Sequence, residues 1–511
     1  MNAKQNKAEK SKNNPTKTIG LITGVLSAVL ILTFADLDPQ KPEITAVFAV
    51  AVWMAVWWIT EAVPVAVTAL LPVVLFPVFG VMNGKEVSSE YFNSIIFLFI
   101  GGFLVALAME KHNLHKRIAL KIMSMTGSGY GKILFGFMAA TAFLSMWMSN
   151  TATAMMMVPV AMSLIYKLTE YLKPEDAKKV SIGLLLSIAY GASVGGIATL
   201  IGTPPNLAFT KIFALNFPDA PEITFSQWFV FALPVSFVML IAVWLILYFK
   251  FKPAESSGIK GNTLFREQYR QLGKASYEEK IVFTAFIVLA FLWIFRNGFN
   301  FGFHIPGWAS LFKNPKYLND GTVAIFIASI LFLIPSKSEK KKRILDNEIF
   351  AKLPWHIILL FGGGFALAKA FKVSGLTEYL GTQLTVLAGV NPFIIIFVIA
   401  LFMSFLTELT SNTASTQMIL PILASLSLSL KINPLLLMIT ATLAASLAFM
   451  LPVATPPNAV IFGTNKIRIK DMMRTGIILN TVGVLIVSLA MYYWGQYVFG
   501  IDISVFPNWA Y

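Results

Sequence analysis

Eleven apolar windows recur along the chain, near residues 18–35, 44–60, 62–81, 92–109, 181–210, 229–249, 281–296, 322–335, 355–371, 433–463 and 475–499. In hydrocarbon every backbone amide and carbonyl must be paired internally, so a window of about 20 apolar residues reads as a spanning helix. Two further apolar stretches, about 131–166 and 391–430, are interrupted midway by Ser-Asn-Thr. They read as re-entrant hairpins, because bent backbone at membrane depth must be sheltered by protein or face a cavity. The expected fold class is therefore an all-α polytopic membrane protein, with about eleven transmembrane helices and two re-entrant hairpins. Composition agrees: 57% of the 511 residues are hydrophobic, 13% are charged and mean hydropathy is +0.72, more apolar surface than one water-soluble core can bury. Cysteine is absent, which excludes disulfides, thiolate metal sites and cysteine nucleophiles together. The net charge of +15 sits in short runs between apolar segments, where it reports orientation and not a nucleic-acid-binding face.

Those runs orient the chain. A polar tail, residues 1–17, carries Lys4, Lys7, Lys10, Lys12 and Lys17, and no A-x-A-like site follows the next apolar stretch, so 18–35 is expected to be a first span and not a cleaved signal. Lys and Arg concentrate in the tail and in 111–121, 167–179, 250–280, 337–343 and 466–474, whereas 36–43, 216–228, 297–320 and 499–511 are poorer in them. Eleven spans place every strongly basic segment on the cytoplasmic face of the cell membrane, with a cytoplasmic N-terminus and an extracellular C-terminus. The first hairpin then enters from the cytoplasm and the second from outside.

Internal repetition sharpens this. Phe99-Ile100-Gly101-Gly102-Phe103 recurs as Phe361-Gly362-Gly363-Gly364-Phe365, and Ser149-Asn150-Thr151 recurs as Ser411-Asn412-Thr413, both 262 residues later. Gly202-Thr203-Pro204-Pro205-Asn206 recurs as Ala454-Thr455-Pro456-Pro457-Asn458, 252 residues later. The three landmarks follow the same order in each half but face opposite sides of the membrane, an inverted-topology repeat that places a binding site at mid-membrane between broken helices. Thr-Pro-Pro removes amide donors, frees carbonyls for a hard cation and exposes a half-helix N-terminus that suits a carboxylate. Neither motif contains Lys or Arg. A bound dianion then depends on bound cations for its countercharge, which couples the two in a low-dielectric pocket.

This pairing of two Ser-Asn-Thr motifs with two Thr-Pro-Pro turns resembles the divalent anion/sodium symporter family, and within it the bacterial sodium-dependent dicarboxylate transporters of the staphylococcal type. The resemblance covers nearly the whole chain, including Trp57-Trp58-Ile59-Thr60-Glu61-Ala62. It implies an elevator-type homodimer that moves C4-dicarboxylates (succinate, fumarate, malate) with sodium, not an enzyme, and without a cofactor beyond sodium as coupling ion. It divides the chain into a cytoplasmic tail (1–17), scaffold parts (18–130 and 281–390), transport parts (131–250 and 391–511) and a cytoplasmic loop (251–280). It assigns one sodium site to Ser149, Asn150 and Gly202, and a second to Thr407, Thr410, Asn412 and Ala454, with Ala454 and Thr407 acting through backbone carbonyls. It assigns the substrate carboxylates to Asn150, Thr151, Asn412 and Thr413, beside Ser411, with Thr203, Pro204, Thr455 and Pro456 lining the pocket.

Other readings stay open. Some members of that family exchange dicarboxylates without sodium. Gly191-Ala192-Ser193-Val194-Gly195 matches the nucleophile pattern of a serine hydrolase, although that motif needs a strand-turn-helix and a partnered His; close helix packing is its simpler reading. Glu61, Lys369 and Glu408 are ionisable groups in or near spans and so are functional suspects, Glu408 as a proton relay, although an ion pair or an interfacial position explains each as well. His112, His115, His304 and His356 lack metal-ligand spacing, and no G-x-x-x-x-G-K-[ST] cradle for ATP is present.

Overall fold

The structure, a computed structural model, describes residues 15–254, 261–300, 304–338, 341–383 and 389–510. Lys4, Lys7, Lys10, Lys12 and Lys340 therefore lie outside the described residues. Helices dominate: Pro15–Phe34 (α1), Pro42–Thr60 (α2), Val65–Thr68 (α3), Leu71–Val78 (α4), Gly84–Ser89 (α5), Ser94–Lys111 (α6), Leu114–Met125 (α7), Tyr130–Ser145 (α8), Asn150–Thr169 (α9), Pro174–Gly196 (α10), Pro204–Asn216 (α11) and Phe225–Phe251 (α12). The second half continues with Gly261–Gln271 (α13), Tyr277–Ile294 (α14), Asp320–Leu333 (α15), Trp355–Ser374 (α16), Leu376–Gln383 (α17), Pro392–Leu409 (α18), Asn412–Leu430 (α19), Pro434–Ala444 (α20), Pro456–Phe462 (α21), Ile469–Leu489 (α22) and, after a π-turn at Ala490–Gly495, Gln496–Phe499 (α23). A small exception to the all-α expectation is a two-stranded antiparallel pair of three residues each, Gly298–Asn300 and His304–Pro306.

Each of the eleven apolar windows becomes a helix or a pair of helices. Ten helical segments among the described residues are long and apolar enough to cross a membrane, and three of these, α9, α18 and α19, are hairpin arms. The window at 62–81 is not one helix: Pro64 caps α3, and Pro72 and Pro77 lie in the short α4. α10 and α20 stop at Gly196 and Ala444, and their continuations α11 and α21 begin only at the prolines of the Thr-Pro-Pro turns. Both second hairpin arms carry an internal proline at equivalent places, Pro159 and Pro421.

The two ends of the bundle are marked by which segments meet there. At one end lie the basic segments: Lys111 pairs with Asp346 at 2.8 Å, Arg117 with Glu279 at 2.9 Å, and Lys250 donates to the Arg474 carbonyl at 2.8 Å. The Lys111 ammonium beside it holds the Asp346 carboxyl below its ordinary range. Two amphipathic helices, α7 and α13, sit at this end, fastened through Arg117 to the Leu272 and Gly273 carbonyls. At the opposite end Arg296 binds Asp320 at 2.7 Å and Glu222 at 2.9 Å, and Asp320 also receives the Phe225 amide. Among the described residues, the basic segments 111–121, 250–280 and 466–474 thus lie at one end of the bundle, and 216–228 and 297–320, poorer in Lys and Arg, at the other.

Small residues set how closely helices approach. A Cβ on Gly195 would lie 2.3 Å from the Ala142 carbonyl oxygen, and one on Gly191 3.0 Å from that of Met138, so this glycine pair lets α8 lie directly on α10. In α16, Gly362, Gly363 and Gly364 face Tyr91, Ala69 and Gln417 with no room for a side chain on any of them. Ion pairs add one polar bridge: Glu90, 5% exposed, receives Lys211 of α11 at 3.1 Å and Lys369 of α16 at 2.9 Å.

Candidate functional site

Each hairpin turns at its Ser-Asn-Thr motif. The first reverses over residues 146–149, the second at Thr410 and Ser411, and Asn150 and Asn412 open α9 and α19. Each tip abuts the broken helix of its own half through one repeated arrangement. The Ser145 hydroxyl lies on Asn150 Oδ1 and donates to the Ala192 carbonyl at 2.8 Å. The Thr407 hydroxyl lies on Asn412 Oδ1 at 2.5 Å and on the Ala445 carbonyl at 2.8 Å. In both hairpins the same hydroxyl thus links the asparagine side chain to a carbonyl of the broken helix.

The first break, residues 197–203, is tightly folded. A Cβ on Gly196 would sit 2.8 Å from Asn150 Oδ1 and 3.1 Å from the Gly202 carbonyl oxygen, so the predicted ligands Asn150 and Gly202 converge on one point. Thr199 fastens the tip to the break by donating to the Met146 carbonyl and accepting the Gly202 amide at 3.0 Å. Thr203 is extended at the N-cap of α11 and 3% exposed, with Pro204 beside it.

The second break, residues 445–455, is longer and held differently. Glu408, 1% exposed, accepts the amides of Phe449 (2.7 Å), Met450 (2.9 Å) and Leu451 (3.0 Å), and the side-chain amide of Asn480 (2.9 Å). Its partners are thus four N–H donors: the carboxylate satisfies amides that the unwound helix leaves without carbonyls. Ala454 closes the same loop through its amide to the Leu451 carbonyl at 3.3 Å, and the Thr455 hydroxyl caps Asn458 at 3.3 Å. Thr410, at the second tip, contacts Ser415 Oγ and donates to the Leu406 carbonyl at 3.0 Å. The first broken helix touches the second break where Tyr190 of α10, ahead of its own break, donates to the Phe449 carbonyl at 2.8 Å.

Accessibility separates motif from frame. Ser149, Asn150, Thr151, Ser411 and Asn412 are half-buried, as is Pro204, and Pro456 is exposed, while Thr203, Thr413 and Thr455 are buried. A cavity of about 350 Å³ lies off the tips, lined by Leu200, Thr210, Lys211 and Asp320 among others; the motif residues take no part in its wall. The convergence of polar groups, not cavity volume, marks the site.

Ser145 was absent from the assigned ligands. It stands 262 residues before Thr407, the offset that relates the hairpins, so the repeat alone could have found it. Of the suspected ionisable groups, Lys369 belongs to the Glu90 cluster, and Glu61 ends α2 at a 4.0 Å approach to Lys17 and is well exposed. Ser193 lies inside the continuous helix α10, 2% exposed, with no strand before it. His112 and His115 are engaged by the backbone carbonyls of Ile344 and Met109. The hydrolase geometry is not formed.

The profile of the family described as sodium:sulfate symporter transmembrane region matches residues 16–501. The chain belongs to this family. Among curated members, the sodium-dependent dicarboxylate transporter SdcS of Staphylococcus saprophyticus is 45% identical over 505 residues, which cover 98% of this chain and 95% of that protein. SdcS of Staphylococcus aureus (strain bovine RF122 / ET3-1) is also 45% identical, over 95% of this chain and 92% of its own length. Two solved structures share the fold at 13% identity and a TM-score of 0.54: the Alcanivorax borkumensis YdaH transporter, over 81% of this chain and 89% of that one, and Neisseria gonorrhoeae MtrF, over 80% and 83%. Membership makes this symporter-family chain a multi-pass membrane transporter and removes the hydrolase alternative.

Proposed function

We propose that the protein is a sodium-coupled symporter that brings C4-dicarboxylates such as succinate, fumarate and malate into the cell. The observation that carries this reading is the duplicated tip: Ser145 with Asn150, and Thr407 with Asn412, each turned onto the carbonyls of a broken helix. Amide, hydroxyl and carbonyl oxygens suit sodium. Ser149, Asn150 and Gly202 form one proposed sodium site, and Thr407, Thr410, Asn412 and Ala454 the other, with Ser145 joining the first. Thr407 takes part through its hydroxyl. The substrate carboxylates are assigned to Asn150, Thr151, Ser411, Asn412 and Thr413, between Thr203-Pro204 and Thr455-Pro456, where the N-termini of α9 and α19 favour an anion. No lysine or arginine stands in these motifs. Anion and cation therefore neutralise each other, and either alone is poorly held at low dielectric.

The staphylococcal relatives named as sodium-dependent dicarboxylate transporters support the same coupling. The reading includes a cytoplasmic N-terminus, an extracellular C-terminus and a homodimer in which residues 131–250 and 391–511 move against the scaffold parts 18–130 and 281–390. Proteoliposomes test it. Labelled succinate should accumulate only under an inward sodium gradient, with fumarate and malate competing and citrate and sulfate not. Uptake driven equally well by internal dicarboxylate without sodium would make the protein an exchanger. Asn150→Ala and Asn412→Ala should each abolish uptake while leaving the protein folded.

A further inference from the structure

We infer that Asn206 and Asn458, the last residues of the two Thr-Pro-Pro-Asn turns, are positioning residues for cation binding: each side-chain amide staples its unwound stretch and sets the spacing of the carbonyls there. The inference rests on the sodium-coupled reading above.

Both side chains are fully buried. Asn206 Nδ2 donates to the Thr199 carbonyl at 2.7 Å and lies 3.4 Å from those of Gly196 and Ile197. Asn458 Nδ2 donates to the carbonyls of Ala448 and Leu451, each at 3.0 Å. Gly196 and Thr199 correspond to Ala448 and Leu451 by the same 252-residue offset that relates Asn206 to Asn458. One bond pattern is thus made twice on residues that are otherwise unlike.

Two prolines precede each asparagine and donate no amide, so carbonyls in the break go without their helical partners. The asparagine amide supplies donors in their place. Each Oδ1, by contrast, is buried with no protein partner. That acceptor is costly in a dry interior, and flipping the amide would only turn it against the carbonyls. The arrangement needs the NH2 group.

The staple bears on the proposed ion sites through short links. A Cβ on Gly202 would lie 2.4 Å from the Gly196 oxygen, so the carbonyl near Asn206 abuts the residue proposed as a ligand. The Leu451 carbonyl that takes the Asn458 donor also takes the Ala454 amide at 3.3 Å.

Asn206→Asp and Asn458→Asp test this directly, since aspartate keeps the volume and the oxygen and removes the donor. In proteoliposomes, each should raise the sodium concentration for half-maximal succinate uptake about tenfold or more, while KM for succinate at saturating sodium stays within about threefold of the wild-type value. Unchanged or tighter sodium activation would overturn the staple and make Oδ1 itself the functional atom. If an aspartate variant does not accumulate as folded protein, Asn206→Ser and Asn458→Ser retain a shorter donor: sodium activation weakened about threefold supports the staple, and none overturns it. A wild-type protein indifferent to sodium would instead overturn the symport reading, before any variant is compared.

Discussion

The two helix breaks carry the same Thr-Pro-Pro-Asn turn and answer the same tip, yet they are stabilised by different means. The first, residues 197–203, is compact: glycines at 196 and 202 bring backbone against backbone, and the Thr199 hydroxyl links the tip to it. The second, residues 445–455, has alanines at the equivalent positions, is longer, and is gathered by the Glu408 carboxylate. At the position equivalent to Glu408 the first half has Met146. Symmetry is thus kept where the asparagines and hydroxyls act and lost in the frame behind them. A frame of glycine contacts tolerates no added bulk, whereas a carboxylate frame tolerates no lost charge.

The largest effect should come from breaking the carboxylate frame. Glu408→Ala leaves four N–H donors without an acceptor, those of Phe449 and Asn480 fully buried and those of Met450 and Leu451 partly so, at about 1–3 kcal/mol for each buried one, so the protein should lose several kcal/mol and its transport activity. Met146→Leu at the equivalent position should cost less than about 1.5 kcal/mol. Thermal melting of the purified variants decides between them, and equal losses would dissolve the distinction. Next comes the glycine frame. Gly202→Ala drives a Cβ to 2.4 Å from the Gly196 oxygen, and uptake should fall about tenfold or more, a loss of about 1.4 kcal/mol. Ala454→Gly, which only removes a methyl group, should stay within about threefold; a comparable loss there would show that the second break is as crowded as the first.

A smaller effect is expected at the shared hydroxyl. Ser145→Thr and Thr407→Ser preserve the donor and should keep uptake within about threefold, whereas Ser145→Ala and Thr407→Ala should weaken sodium activation by a factor of about five, the cost of about 1 kcal/mol for a lost bond. The smallest lies outside both breaks. Asp346→Asn should cost at most about 1 kcal/mol at neutral pH, because the pair with Lys111 is partly solvated. The folded-state pKa of Asp346 is depressed, so the pair's contribution is present above the unfolded value near 3.9 and is lost as pH falls through the lower folded one. The variant and the parent should therefore melt alike in strong acid.

Spans, hairpins and tips were legible because each rests on local rules: apolar length, proline chemistry and motifs repeated at fixed offsets. The amphipathic α7 and α13 were not, since their charged faces hide them from any search for continuous apolar windows. The division of 62–81 into α3 and α4 was written in Pro64, Pro72 and Pro77, but hydropathy alone reads across it. Glu408 was visible as a buried charge, while its partners lie 41 to 43 and 72 positions further on, where no local pattern points. Ser145 shows the opposite case, a residue legible only through its repeat partner. Asn206 and Asn458 stood in plain view within the motif, but their use as donors depends on a backbone turn that sequence spacing does not draw.

Phe449 gives the duplicated site one further property. Its amide is held by Glu408 of the second hairpin and its carbonyl by Tyr190 of the first broken helix, whose ring also packs edge-on against it with centroids 5.1 Å apart. One residue is therefore gripped from both halves of the chain. The second break cannot slide past the first broken helix without tearing that grip, so the two halves of the proposed site are yoked at this point.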